Sequence, residues 1–125
     1  MKFILDDSNS GHAIQNYGAF EITISGKIYR ESLVIMPDRI IPEWRPARFQ
    51  ELKQEDFAHL ASLTPEIIVL GTGSKQHFPD HQLIRPLLEH QIGLEVMATD
   101  AACRTYNILM SEGRRVAAAL MMIGE

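Results

Sequence analysis

Apolar and polar residues alternate in strand fashion from His12 to Trp44. Ile14 and Asn16, then Phe20, Ile22 and Ile24, take every second place among polar neighbours, and Ser25-Gly26-Lys27 is a turn signal before Ile28-Tyr29-Arg30. Leu33-Val34-Ile35-Met36 reads as a more buried strand stopped by Pro37-Asp38, and Ile40-Ile41 as a short one ending near Pro42 or Trp44. Together these segments predict an antiparallel β meander. Beyond the connector Trp44–Arg48, where Pro46 turns Arg45 away from helix, the spacing becomes helical. Leu52, Phe57, Leu60, Ala61 and Leu63 share one face, Asp56 suits the positive first turn, and Pro65 closes the helix.

The second half alternates strand with helix. Ile67–Leu70 is β-branched or leucine throughout, as in a strand covered on both faces. A helix falls within Asp80–Gln91, a strand at Leu94–Ala98, a helix at Asp100–Glu112 and a strand at Val116–Met122. Pro86 either kinks the first of these helices or stands at its first position. Gly93 and Gly113 sit where C-terminal caps are expected. Strands separated by such helices imply βαβ units. The predicted fold is α/β, with βαβ units in the C-terminal half and the antiparallel meander in the N-terminal half.

Composition narrows the function classes. A chain of 125 residues, 46% hydrophobic and 22% charged, is expected to form a single domain, residues 1–125. A net charge of −4 with scattered basic residues, apart from Arg45/Arg48 and Arg114/Arg115, argues against a nucleic-acid partner. The single cysteine excludes an internal disulfide and fits a reducing compartment. Met1-Lys2-Phe3-Ile4-Leu5 reaches Asp6-Asp7 too soon for a signal-peptide core or a membrane span, so a cytoplasmic protein without membrane insertion is expected.

Candidate chemistry gathers at two strand-to-helix junctions. Gly71-Thr72-Gly73-Ser74-Lys75 has the outline of an anion cradle. It lacks the Gly-Lys-Ser/Thr ending of a Walker loop, and Gln76 replaces the third glycine of a dinucleotide fingerprint. A tight strand-exit turn is the other reading. If the strands at 67–70 and 94–98 are neighbours, Thr72, Ser74, Thr99 and Asp100 converge on one rim. Thr99 is then the helix N-cap and Cys103 ends the first turn, where the helix dipole and Arg104 would lower a thiol pKa. Against this, the apolar run around Cys103 fits a small buried hydrophobe.

Asp100 and Arg104 form an i,i+4 pair. Asn107, within an apolar stretch, needs partners, either backbone groups of the Gly71–Ser74 turn or solvent. The candidate ligand-binding set is therefore Gly71, Thr72, Gly73, Ser74, Thr99, Asp100, Cys103, Arg104 and Asn107, for a small ligand, anions included. No catalytic residue is assigned and no cofactor is implied. Pro79 between His77 and His81 breaks helical ligand spacing, so no metal site is expected. Glu112, Arg114 and Arg115 read as a solvated helix exit, and Trp44 as an interface anchor or a core-capping residue.

The Tyr17-Gly18 pair, Trp44, Gly71-Thr72-Gly73, Gly93–Met97, Ala102–Leu109 and Glu112–Leu120 together resemble the Mth-type domain family of small bacterial and archaeal proteins, over about residues 12–122. That family is similar to a mitochondrial complex I assembly factor and to the adipogenesis-associated Mth domain protein. The resemblance implies a three-layer fold in which β-structure and helices flank a mixed central sheet, and it carries no catalytic residues across. It implies a non-catalytic interaction or assembly role with an unidentified protein partner. Self-association is also possible.

Overall fold

A computed structural model describes residues 11–124. The opening residues Met1–Asp7, and the conclusions drawn from them, lie outside that range. Eight strands and three α-helices follow in the order β1 (Ile14–Gly18), β2 (Glu21–Ile24), β3 (Lys27–Tyr29), β4 (Leu33–Met36), β5 (Arg39–Ile41), α1 (Gln54–Ser62), β6 (Ile67–Gly71), α2 (Arg85–Glu89), β7 (Gly93–Met97), α3 (Thr99–Ser111) and β8 (Val116–Leu120). A 3-10 turn, Phe49–Glu51, precedes α1.

The strands divide into two sheets. β1-β2-β3 is an antiparallel three-stranded sheet, and β5-β4-β8-β6-β7 is a mixed five-stranded one. β6 lies parallel to both β7 and β8, whereas β4 runs antiparallel to β8. The meander holds over β1–β3, and the β4–β5 hairpin crosses to the central sheet, with Leu33 opposite Leu120. Alternation sets which face a strand buries, and pairing partners depend on contacts distant in sequence, so this division is absent from the local pattern.

Three layers result. On one face of the central sheet Val34, Met36, Ile68, Leu70, Ala117 and Ala119 pack under Phe57 and Leu60 of α1 and Leu87 of α2. On the other, Leu33, Ile35, Val69, Ala118 and Leu120 meet Ala102, Cys103 and Tyr106 of α3 together with Ile22 and Ile24 of β2. β8 is buried along its whole length, and its three consecutive alanines leave room for helices on both sides.

Local chemistry accounts for the ends. Asp56 accepts the Lys53 backbone N–H at 2.8 Å and so caps α1. Pro86 stands in the first turn of α2, the position where its missing N–H costs nothing. Gly113 follows α3 with φ +81°, as expected of a cap. Gly93 differs from its expected role. It begins β7, and the left-handed position after α2 is held by Gln91 at φ +56°.

Candidate functional site

The crossover from β6 to β7 runs through α2 on one face of the sheet, and that from β7 to β8 through α3 on the other. Chains leaving neighbouring parallel strands toward opposite faces open a crevice at the strand ends, the usual place for a ligand in such sheets. Here the crevice lies between Gly71-Thr72 and Met97-Ala98-Thr99. The two strand exits do meet, as the sequence indicates.

Hydrogen bonds within the chain close it. Thr99 N–H donates to the Gly73 carbonyl at 2.8 Å, and Gly73 N–H donates to Thr99 Oγ1 at 2.9 Å. The same hydroxyl donates to Met121 O at 2.7 Å, which ties the end of β8 into the junction. Thr99 is fully buried. It is therefore the first residue of α3 and not its N-cap, which is Ala98. Its hydroxyl is directed at two other strand exits and away from the first turn of its own helix.

Thr72 Oγ1 donates to Lys75 O at 2.6 Å and accepts from His77 N–H at 3.2 Å, so it braces its own loop. Gly71 has no room for a side chain, since a Cβ there would stand 2.9 Å from Thr99 Oγ1 and 3.1 Å from Ala102 Cβ. Gly73 adopts φ +99°, the left-handed conformation that glycine tolerates. Each glycine thus has a packing or backbone reason at the junction.

The remaining candidates point elsewhere. Asp100 Oδ1 accepts the neighbouring Ala101 N–H at 2.8 Å, and its other oxygen lies 4.0 Å from Arg104 Nη1. Arg104 Nη1 donates to Tyr17 Oη at 2.5 Å, reaching β1 across the layer. Asn107 does find backbone partners, and they belong to β1. Its Oδ1 accepts Ile14 N–H and its Nδ2 donates to Ile14 O, each at 2.8 Å. The expected bonds to the Gly71–Ser74 turn are not made, because Asn107 lies two turns along α3, over the three-stranded sheet. Cys103 is buried in the same interface. Burial, reinforced by Asp100, pushes its thiol up to about 12, and Arg104 opposes this only weakly. The lowered thiol pKa expected from the helix dipole is not found, since desolvation outweighs it.

Two separate concavities therefore stand where one rim was expected. One, of about 320 Å³, opens beyond β6 and β8 and is walled by Thr72, Gly73 and Ser74 with Arg48, Phe49 and His77. The other, of about 440 Å³, lies between β1 and α3 beside Tyr17, Cys103, Arg104 and Asn107. Thr99 and Asp100 line neither. Sequence reading missed Arg48, Phe49 and the tail Met121-Met122-Ile123. For the tail the signal was apolar residues continuing past the end of β8.

The Phe49 and His77 rings lie 5.2 Å apart, tilted by 34°. Trp44 is buried with the α1-face core, which matches the core-capping reading. Arg114 pairs with Glu66 at 2.8 Å, and Arg115 donates to the Leu63 and Thr64 carbonyls, so this basic pair clamps the corner between α1 and β6. No group of three or more His, Cys, Asp or Glu among the described residues is placed to hold a metal. No helix among them is long and apolar enough to cross a membrane.

Residues 14–121 match the family described as protein of unknown function (DUF498/DUF598). The chain belongs to that family. One relative is the mouse NADH dehydrogenase (ubiquinone) 1 alpha subcomplex assembly factor 3, 33% identical over 110 residues, covering 86% of this chain and 59% of the relative. The chain thus spans about three-fifths of that relative's length. Among solved structures of the family, a Bordetella parapertussis protein superposes with a TM-score of 0.84 at 35% identity, covering 89% of this chain and 95% of the other. A Bordetella pertussis protein described as a Mth938-like domain gives 0.80 at 29% identity, covering 93% and 89%. The three-layer arrangement is the fold of these family members.

Proposed function

We propose that this chain is a non-catalytic interaction module that assists the assembly of a larger protein complex, in the manner of the named assembly factor. The observation that carries this reading is the match of 86% of the chain to that factor. The chemistry of the candidate residues supports it. Thr72, Thr99 and Asn107 direct their polar atoms at the chain's own backbone, and the Cys103 thiol is held protonated. Such groups build a rigid platform. A nucleophile would need an accessible, lowered thiol and a nearby base.

The test is affinity isolation of the full chain from native extract under gentle conditions. A stoichiometric protein partner, identified by mass spectrometry and retained through size-exclusion chromatography, is the expected result. A chain recovered alone and monomeric at every concentration overturns the reading.

The concavity beside Gly73 favours a second reading, a small-ligand binder taking an organic anion. Its volume of about 320 Å³ is within the range of ligand pockets, and Arg48 supplies a cation at its wall. Thermal-shift titration with phosphate, nucleotides and small carboxylic acids tests it. Stabilisation lost on Arg48→Ala supports it, and no stabilisation by any of them removes it.

A further inference from the structure

β7 ends the five-stranded sheet and pairs only with β6. Gly93 N–H donates to Glu66 O at 3.1 Å, and Met97 O accepts Thr72 N–H at 3.0 Å, so the backbone groups of Gly93, Glu95 and Met97 turn inward. Those of Leu94 and Val96 therefore turn outward. Among the described residues one contact covers this edge. Gln76 Nε2 donates to Val96 O at 3.0 Å, the place that the N–H of a further strand would take.

Beside the edge lies a groove of about 460 Å³, formed by Phe78, Ile84, Leu87 and Leu88 against Leu94 and Val96. Phe78 is 69% exposed and Leu88 56% exposed, an unusual display for side chains of this size. Charge around the groove has one prevailing sign. Asp80, Glu89 and Glu95 adjoin its lining residues in the chain, against the one cation Arg85, and none of the three carboxylates has an ion-pair partner among the described residues.

We infer that the β7 edge is a strand-addition site for an extended segment of a partner protein, apolar at alternate positions and carrying Lys or Arg between them. Main-chain bonds to Leu94 and Val96 give affinity, and the groove selects the alternate apolar side chains. Glu95, whose side chain points to the opposite face from Leu94 and Val96, selects the basic ones. This assignment rests on the interaction-module reading and names its docking surface. A second copy of the chain fits less well. Two-fold pairing of the whole strand sets Glu95 opposite Glu95 of the copy, and like charges directly opposite are destabilising. Each copy also carries a net charge of −4.

The test is selection of short random peptides from a displayed library on the immobilised full chain. Enriched peptides should alternate apolar and basic residues and should slow amide exchange at Leu94 and Val96. Their affinity should fall at least about tenfold in Val96→Pro, which lacks the edge N–H, and in Phe78→Glu. Phe78 is exposed, so the second variant folds even if the first does not. No enrichment, undiminished binding to both variants, or a concentration-dependent dimer abolished by Val96→Pro each overturns the assignment. Native partner capture measured in parallel separates the two claims. Capture that persists in both variants sinks the edge and leaves the interaction module standing, whereas a wild-type chain that captures nothing sinks the module.

Discussion

Asn107 on α3 grips the backbone of Ile14 on β1 as a neighbouring strand would, accepting its N–H and donating to its carbonyl at 2.8 Å each. The contact spans 93 positions of sequence and fastens the three-stranded sheet to the central layer. Asn107→Ala leaves both Ile14 groups without a protein partner, and each orphaned group costs about 1–3 kcal/mol when water cannot reach it. Urea denaturation should show a loss within about 2–6 kcal/mol. Asn107→Asp should be no milder at neutral pH, because a carboxylate oxygen would then face the Ile14 carbonyl. An Asp variant as stable as the wild type refutes the bidentate grip.

Thr99 has the corresponding role at the strand exits. Its hydroxyl links Gly73 N–H to Met121 O, the second of these bonds fully buried. Thr99→Val keeps the shape and removes both bonds, with an expected cost of about 2–4 kcal/mol. Thr99→Ser keeps the hydroxyl and should recover most of that loss. Chemical denaturation of the three proteins side by side gives the comparison, and equal stability of the Ser and Val variants contradicts it.

The same two residues show how far the sequence was legible. Ile67–Leu70, lacking any polar interruption, declares a central strand, and the glycines after it declare a tight exit. Convergence of that exit with Thr99 followed from two parallel neighbours joined by a short crossover. What local pattern does not carry is the direction of a side chain at a helix start. Moving the start by one residue makes Ala98 the cap and turns the Thr99 hydroxyl inward, so a group read as facing a ligand is internal. Asn107 was legible as a residue that must be satisfied. Its partner was not, because Ile14 approaches α3 only after the β1–β3 sheet folds across. Leu33–Met36 likewise announces its burial while leaving its partner, β8, unspecified.

Cys103 should be inert in the folded state. With the thiol pushed up to about 12 and almost no exposed surface, alkylation at neutral pH should run roughly a thousandfold slower than for a free thiol. The same shift gives a pH dependence. Between pH 9 and about 12 the unfolded chain releases this proton while the folded chain keeps it, so stability falls as pH rises. The slope is at most about 1.4 kcal/mol per pH unit. Burial raises the Tyr106 hydroxyl as well and adds to the decline at the alkaline end. Cys103→Ala should flatten the lower part of that window. Rapid labelling of the native protein, or an unchanged slope in the alanine variant, contradicts the buried-thiol account.

Arg45 and Asp56 hold the entry to α1. Arg45 Nε and Nη2 donate to the two carboxylate oxygens at 3.0 and 2.5 Å, and Nη2 also reaches Glu51 O at 2.6 Å. Asp56 is buried, so removing the guanidinium leaves a desolvated carboxylate that still caps the helix through Lys53 N–H. The bond to Asp56, more than the diffuse field of Glu51 and Glu55, holds the Arg45 guanidinium above its usual pKa. Arg48 offers the control. It lies 3.8 Å from Glu51 with both side chains well exposed, a pair of the kind that contributes little. Arg45→Ala should therefore lower the urea midpoint clearly, and Arg48→Ala should barely move it. Asp56→Asn, which gives up the charge while keeping an acceptor for Lys53 N–H, should lie between wild type and Arg45→Ala, because it leaves no buried charge unpaired. Equal midpoints for the two arginine variants show that the buried carboxylate draws no more from its guanidinium than a surface pair does.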